Sequence, residues 1–203
     1  MIPPLCFVTD ADAPLPIPDQ AERAARGGAA WVQLRHKTMD DAGFAELARA
    51  LRRRLDPLGA QLVLNDRVAV ARELGVFGLH VGQSDGDPAA IRAWIGPDMV
   101  LGLSIEAESQ LAAIPRGVDY LGVGPVRATP SKADHAAPIG LVGLARIMAA
   151  VPAPCMAIGG LSAADVPAVR AAGCEGLAVV SAIARAADPE VAARTIVNAW
   201  SAP

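Results

Sequence analysis

In the stretch "QLRHK", Gln33, Arg35 and Lys37 alternate, so an extended chain turns all three to one face. Three long polar side chains entering a concave site need a polar or anionic ligand to offset their desolvation, whereas a solvated rim needs none. Two later stretches add carboxylates: "NDR" sets Asp66 beside Asn65, and "HVGQSDGD" sets Asp85 beyond two small turns. Taken singly, Asp66 reads as a helix cap, and so does Asp85 or Asp87. Taken with Arg35 and Lys37, Asp66 and Asp85 suit one Mg²⁺ bound by carboxylates, water and substrate phosphate oxygens. A paired general acid and base is the alternative, and it needs a carboxyl in a dry site.

Anion-binding features stand elsewhere in the chain. "AIGGL" carries Gly159 and Gly160, which permit close backbone approach, and "VVSAI" carries Ser181, with a hydroxyl and a backbone N–H. The irregular stretch "GVGPVRATPSKADHAAPIG", Gly122 to Gly140, contains Thr129 and Ser131 as donors to phosphate and Lys132 as a positive charge. Its proline and glycine content suits a segment that closes over a bound anion. Ser104 in "GLSIEA" has no nucleophile elbow around it and reads, alone, as a helix cap. His36, His80 and His135 form no evident triad; His80, inside an apolar run, reads as a hydrogen-bonded core histidine and His135 as solvated.

These residues fall at recurring places. Eight short apolar runs ("LCFV", "AAWVQL", "QLVL", "VFGLHV", "MVLGL", "DYLGV", "CMAI" and "GLAVV") alternate with Ala-rich helical stretches such as "MDDAGFAELARALRRRLDPLG" and "DPEVAARTIVNAW". The runs suit strands buried on both faces, as in parallel sheets. Several helical stretches open on Asp or Ser and close on Gly. Eight such units without a linker predict a single (β/α)8 TIM barrel over residues 1–203, with the active site at the C-terminal strand ends. The polar residues named above lie at the end of one of those runs or in the stretch that follows it.

The chain is 53% hydrophobic and 19% charged, which supports a large core and argues against disorder. A net charge of −3 and only 3% aromatics predict no nucleic-acid partner. No run nears the roughly 18 apolar residues of a membrane span, so no membrane partner is expected. "MIPPLCFVTDADAP" has neither the basic nor the long apolar region of a signal peptide. The three cysteines, Cys6, Cys155 and Cys174, lie in apolar runs and read as buried reduced thiols. A cytoplasmic protein is expected, with phosphorylated small molecules as partners and self-association as a homo-oligomer left open.

"VQLRHK", "LNDRV", "LHVGQSD", "GLS", "YLGVGPVRATPSK", "AIGGL" and "LAVVSAI" occur in this order in chains of the thiamin phosphate synthase family, which this sequence resembles over nearly its whole length. The resemblance implies a (β/α)8 barrel transferase of thiamine biosynthesis. It would join hydroxymethylpyrimidine diphosphate to a thiazole phosphate, giving thiamine monophosphate and pyrophosphate. It assigns Gln33, Leu34, Arg35, His36, Lys37 and Asn65 to the pyrimidine diphosphate, with Ser104 and Lys132 touching the pyrimidine or its diphosphate. Asp66 and Asp85 become Mg²⁺ ligands. Thr129, Pro130, Ser131, Gly160, Val180 and Ser181 would hold the thiazole phosphate. Arg35, Lys37, Ser104 and Lys132 carry the catalytic role. Two departures are visible: His36 stands where an acidic residue is common, and Ser131 where threonine is usual. Thiazole tautomerases, the neighbouring isomerases on this barrel, tend to lose the metal carboxylates and the "TPSK"-like loop, which this chain keeps. A non-catalytic phosphate-binding barrel is the other alternative.

Overall fold

The short apolar runs form strands: β1 (Leu5–Val8), β2 (Trp31–Leu34), β3 (Gln61–Asn65), β4 (Gly78–Val81), β5 (Val100–Ile105), β6 (Tyr120–Val123), β7 (Cys155–Ile158) and β8 (Gly176–Val179). This is a computed structural model, and it describes residues 1–129, 136–151 and 153–202. All strand pairs are parallel; each strand pairs with the next in sequence, and β8 returns to β1, closing the expected (β/α)8 barrel. Register brings the polar strand ends side by side: Asn65 pairs with His80, and Ser104 with Gly122.

The helices between them are α1 (Ile17–Arg26), α2 (Asp41–Leu55), α3 (Val68–Leu74), α4 (Pro88–Ile95), α5 (Gly140–Ala150), α6 (Val166–Ala171), α7 (Ser181–Ala184) and α8 (Pro189–Ser201). Cap chemistry sets several starts. Asp40 accepts from Gly43 N–H before α2, Asp87 from Ala89 N–H before α4, and Asp188 from Glu190 and Val191 N–H before α8. One expectation, an α-helix in each of the eight units, needs correcting: after β5 the stretch "EAESQLAAI" forms a 3₁₀ helix, Glu108–Ala113, instead. Both ends of that stretch are held extended, Ala107 at φ −153°, ψ 152° and Ile114 at φ −69°, ψ 114°. Pro115 follows Ile114 and disfavours the helical region there, so no full α-helix fits between them. The eighth unit, conversely, carries the short α7 ahead of α8.

Strand alternation divides the core into two layers. Phe7, Val32, Leu34, Leu64, Leu79 and Leu101 pack with helix residues such as Phe44, Ala48 and Leu51. Cys6, Val8, Trp31, Val63, Tyr120, Met156 and Ala178 fill the barrel itself. Trp31 meets the Tyr120 ring edge-on with centroids 5.2 Å apart. Two glycines make room in this inner layer. A Cβ at Gly102 would lie 2.2 Å from Tyr120 Cζ and 2.5 Å from His80 Nδ1, and one at Gly122 would lie 3.0 Å from His80 Cε1. Overpacking at Gly102 would force the Tyr120 and His80 rings off their positions. Gly102→Ala is therefore expected to destabilise the fold by about 3 kcal/mol, measured as a shift in denaturant midpoint against the unaltered protein.

Candidate active site

The C-terminal strand ends surround a cavity of about 340 Å³. β2 and the chain after it contribute Gln33, Arg35 and Lys37; β3 contributes Asn65 and, just beyond, Asp66. Asp85 comes from the loop after β4, Ser104 from β5, and Thr129 from the long stretch after β6. Gly159 and Gly160 follow β7, and Val180 and Ser181 follow β8. One cavity thus gathers polar groups from seven of the eight units.

Asp66 and Asp85 are close enough for their carboxyls to share a hydrogen bond. Burial, then that contact with Asp85, pushes the Asp66 carboxyl above the usual carboxylate range despite the Lys37 ammonium bonded to it. Burial also acts upward on Asp85, but the contact with Asp66 and the Gly82 N–H at 2.7 Å outweigh it and hold Asp85 below that range. Neither aspartate caps a helix. Asp87 caps α4, and α3 has Arg67 at its N-cap position with no side-chain cap bond. Asp66 moreover takes φ +65°, the left-handed region, the one described non-glycine residue to do so. Two facing carboxyls repel, so this arrangement fits a hard cation that takes oxygen ligands. Among the described residues no cluster of three or more His, Cys, Asp or Glu could hold a metal, so a cation here would need substrate oxygens as well.

Below the carboxylates, His80 lies inside the barrel with Nδ1 3.0 Å from Tyr120 Oη and Nε2 2.9 Å from Ser104 Oγ. Ser104 is thus not a helix cap: it sits within β5 and lines the cavity. Burial lowers the His80 pKa from 6.5 to about 4, so the ring is neutral at pH 7. The unfolded imidazole takes its proton near pH 6.5 and the folded one only near pH 4. His80 therefore contributes its full stability above pH 6.5 and loses it as pH falls from there to 4. The loss by pH 4 is expected to be about 3 kcal/mol, read from urea unfolding across that window, and His80→Gln should remove it. The cysteines offer no nucleophile. All three are buried and reduced, and burial pushes each thiol up to about 12.

On the opposite rim, Gly159 (φ +99°) and Gly160 (φ +63°) lie against the loop after β6. A Cβ at Gly159 would sit 2.5 Å from Pro125 Cα, and one at Gly160 2.7 Å from the Ala128 carbonyl oxygen. Val126 and Arg127 N–H donate to the Ile158 and Gly159 carbonyls, joining the two loops. Asp165 adds a clamp, accepting from Arg127 Nη2 at 2.6 Å and from Ser162 N and Oγ. Val180 and Ser181 open α7, whose first N–H groups have no acceptor within the helix.

Several of these features escape a sequence inventory. Leu34 and His36 do not line the cavity: alternation turns Leu34 into the strand–helix layer, and His36 Nδ1 is buried with no hydrogen-bond partner among the described residues. Pro130, Ser131, Lys132 and His135 lie outside the described residues. Conversely, "VTD" after β1 matters. Thr9 Oγ1 accepts from Arg35 N–H at 2.9 Å and donates to the Arg35 carbonyl at 3.2 Å. Asp10, buried, receives Arg185 Nε at 3.0 Å just beyond α7, so the β1 end braces both rims. Gln83 and Glu106 also line the cavity; their positions just after strands are the signal that could have found them.

The family model described as thiamine monophosphate synthase matches residues 5–183. The thiamine-phosphate synthase of Solidesulfovibrio magneticus is 51% identical over 197 residues, covering 96% of this chain and 93% of that protein. That of Azorhizobium caulinodans is 46% identical over 179 residues, covering 88% and 84%. Among solved structures, thiamine phosphate pyrophosphorylase from Pyrococcus furiosus superimposes with a TM-score of 0.86 at 29% identity, covering 96% and 94%. With a barrel of the same form and relatives this similar along their length, the chain belongs to the thiamine monophosphate synthase family.

Proposed function

We propose that this chain, one catalytic barrel over residues 1–203, is a thiamine-phosphate synthase. It couples 4-amino-2-methyl-5-hydroxymethylpyrimidine diphosphate to a thiazole phosphate and releases pyrophosphate. One observation carries the reading: a single cavity has an aspartate pair with Lys37 and Arg35 on one rim and a glycine-lined cradle on the other. Those are two different places for phosphate on the wall of one cavity, one for each phosphorylated substrate.

Asp66 and Asp85 would hold Mg²⁺, which supplies charge neutralisation to the departing pyrophosphate. Arg35 and Lys37 bind the diphosphate directly, and Lys132 adds a charge from the loop. Gln33, Asn65 and Ser104 orient the pyrimidine. The C–O bond to the diphosphate breaks first, and the electron-rich aminopyrimidine spreads the positive charge left on its CH₂. Thr129, Ser131, Gly160, Val180 and Ser181 fix the thiazole phosphate so that the ring nitrogen lies in line with that carbon. The nitrogen lone pair then forms the new C–N bond, and no covalent enzyme adduct is required. Three buried reduced thiols fit work in the cytoplasm.

The test is direct. The purified protein is mixed with both substrates and Mg²⁺, and pyrophosphate is measured. Release that needs both substrates and stops on adding EDTA is expected. Isomerisation of a thiazole phosphate without diphosphate or metal would replace this reading with a tautomerase, and binding without turnover would replace it with a carrier.

A further inference from the structure

Tyr120, His80 and Ser104 form a hydrogen-bonded chain across the barrel interior, from the apolar layer up to the cavity floor. Their separations in sequence are 40 and 24 residues, so only barrel closure brings them together. Gly102 and Gly122, whose Cβ atoms would strike the Tyr120 or His80 rings, leave the space the chain occupies. A neutral imidazole has one N–H and one lone pair, so its two hydrogen bonds must run in opposite senses.

The tyrosine decides which sense. The residue is 2% exposed, and among the described residues His80 Nδ1 is the only hydrogen-bond partner of its phenol oxygen. Burial pushes the Tyr120 phenol well above its ordinary value, so it keeps its proton. A buried phenol O–H without an acceptor is strongly unfavourable, so it donates to Nδ1. Nδ1 then holds the lone pair, Nε2 carries the hydrogen, and Nε2–H donates to Ser104 Oγ. The Ser104 O–H is left to point into the cavity. Gln83 Nε2, 2.6 Å from the Ser104 carbonyl, occupies the serine's other exposed acceptor.

We propose that Tyr120 is a positioning residue: through the His80 ring it sets Ser104 as a hydrogen-bond donor, so the substrate atom seated over Ser104 is an acceptor. The role of Ser104 toward substrate rests on the function proposed above; the ring tautomer does not.

Two measurements test it. Nitrogen-15 spectra of the histidine rings in the unaltered protein, with His80 assigned by loss of its signals in His80→Gln, should show Nε2 protonated and Nδ1 bare. A protonated Nδ1, or an exchanging mixture, overturns the proposal. Tyr120→Phe should then lower kcat/KM for the pyrimidine diphosphate about tenfold, yet less than about twofold when Ser104 is already alanine. Equal losses in the two backgrounds would show that the tyrosine does not act through Ser104. Should Tyr120→Phe fail to fold, or the protein show no synthase turnover, the ring spectrum still decides the tautomer by itself.

Discussion

Asp85→Ala is expected to lower turnover by about 10²–10³ at saturating Mg²⁺, the range found when a preorganised electrostatic group is removed. Two roles compete for this carboxylate. It closes a turn by accepting from Gly82 N–H at 2.7 Å, and it faces Asp66 across the site. Asp85→Asn separates the two, because the amide oxygen still accepts from Gly82 while the charge is gone. If charge matters, the two variants should fall together in single-turnover experiments; a normal rate in Asp85→Asn would leave Asp85 as a turn residue only. Electrostatics favours the first outcome. Burial and the contact with Asp85 push the Asp66 carboxyl up, so ionising both carboxyls here is costly, and a fold with no use for a cation gains nothing by facing them. Asp66, held at φ +65° beside Lys37, adds a locally unfavourable backbone to the same spot.

The barrel is legible because its strands are short and its helices amphipathic. β1 and β7 coincide with "LCFV" and "CMAI" to the residue. Those runs end where a polar residue or a glycine begins, Thr9 after β1 and Gly159 after β7. Helix type after β5 is harder to read. "EAESQLAAI" has good helix formers, yet the extended residues on either side decide, and only Pro115 hints at them. The direction of each strand residue is legible only where polar and apolar residues alternate. "QLRHK" alternates, so the sequence shows Gln33, Arg35 and Lys37 on one face and leaves Leu34 and His36 to the other, as the structure has them. Attributing Leu34 and His36 to the pyrimidine site came from the resemblance, not from that pattern.

Aspartates expose a different limit. Asp66, Asp85 and Asp87 each precede a helix, and any could cap one; which does so depends on loop geometry that composition does not encode. Asp87 caps α4, and this frees Asp85. The Tyr120–His80–Ser104 chain is invisible for a third reason. Its members lie in or just after separate apolar runs, where His80 looks like an isolated core histidine and Gly102 and Gly122 look like weak strand residues. The glycines acquire a meaning only when the barrel closes and the volume they leave is filled from neighbouring strands. Thr9 and Asp10 go unread because "VTDADAP" follows the first strand without any basic residue or glycine pair to mark it.

Gly160→Ala is expected to reduce kcat/KM for the thiazole phosphate by about 10²-fold while leaving the KM for the pyrimidine diphosphate nearly unchanged. The effect has two sources. At φ +63° an L-residue is disfavoured by about 1–2 kcal/mol. Its Cβ would also lie 2.7 Å from the Ala128 carbonyl and 2.8 Å from Arg127 Cβ, so the loop leading to Thr129 must shift. The Arg127–Asp165 pair and the N–H bonds of Val126 and Arg127 resist that shift, so the displacement is transferred to the glycine turn itself. Donors aimed at a phosphate lose most of their value when moved by about 1 Å, whereas Arg35, Lys37 and the aspartates across the cavity are untouched. Steady-state kinetics with each substrate varied in turn gives the answer. Equal losses on both substrates would mean that Gly160 supports the barrel mouth generally, and the thiazole phosphate would then have to be placed elsewhere.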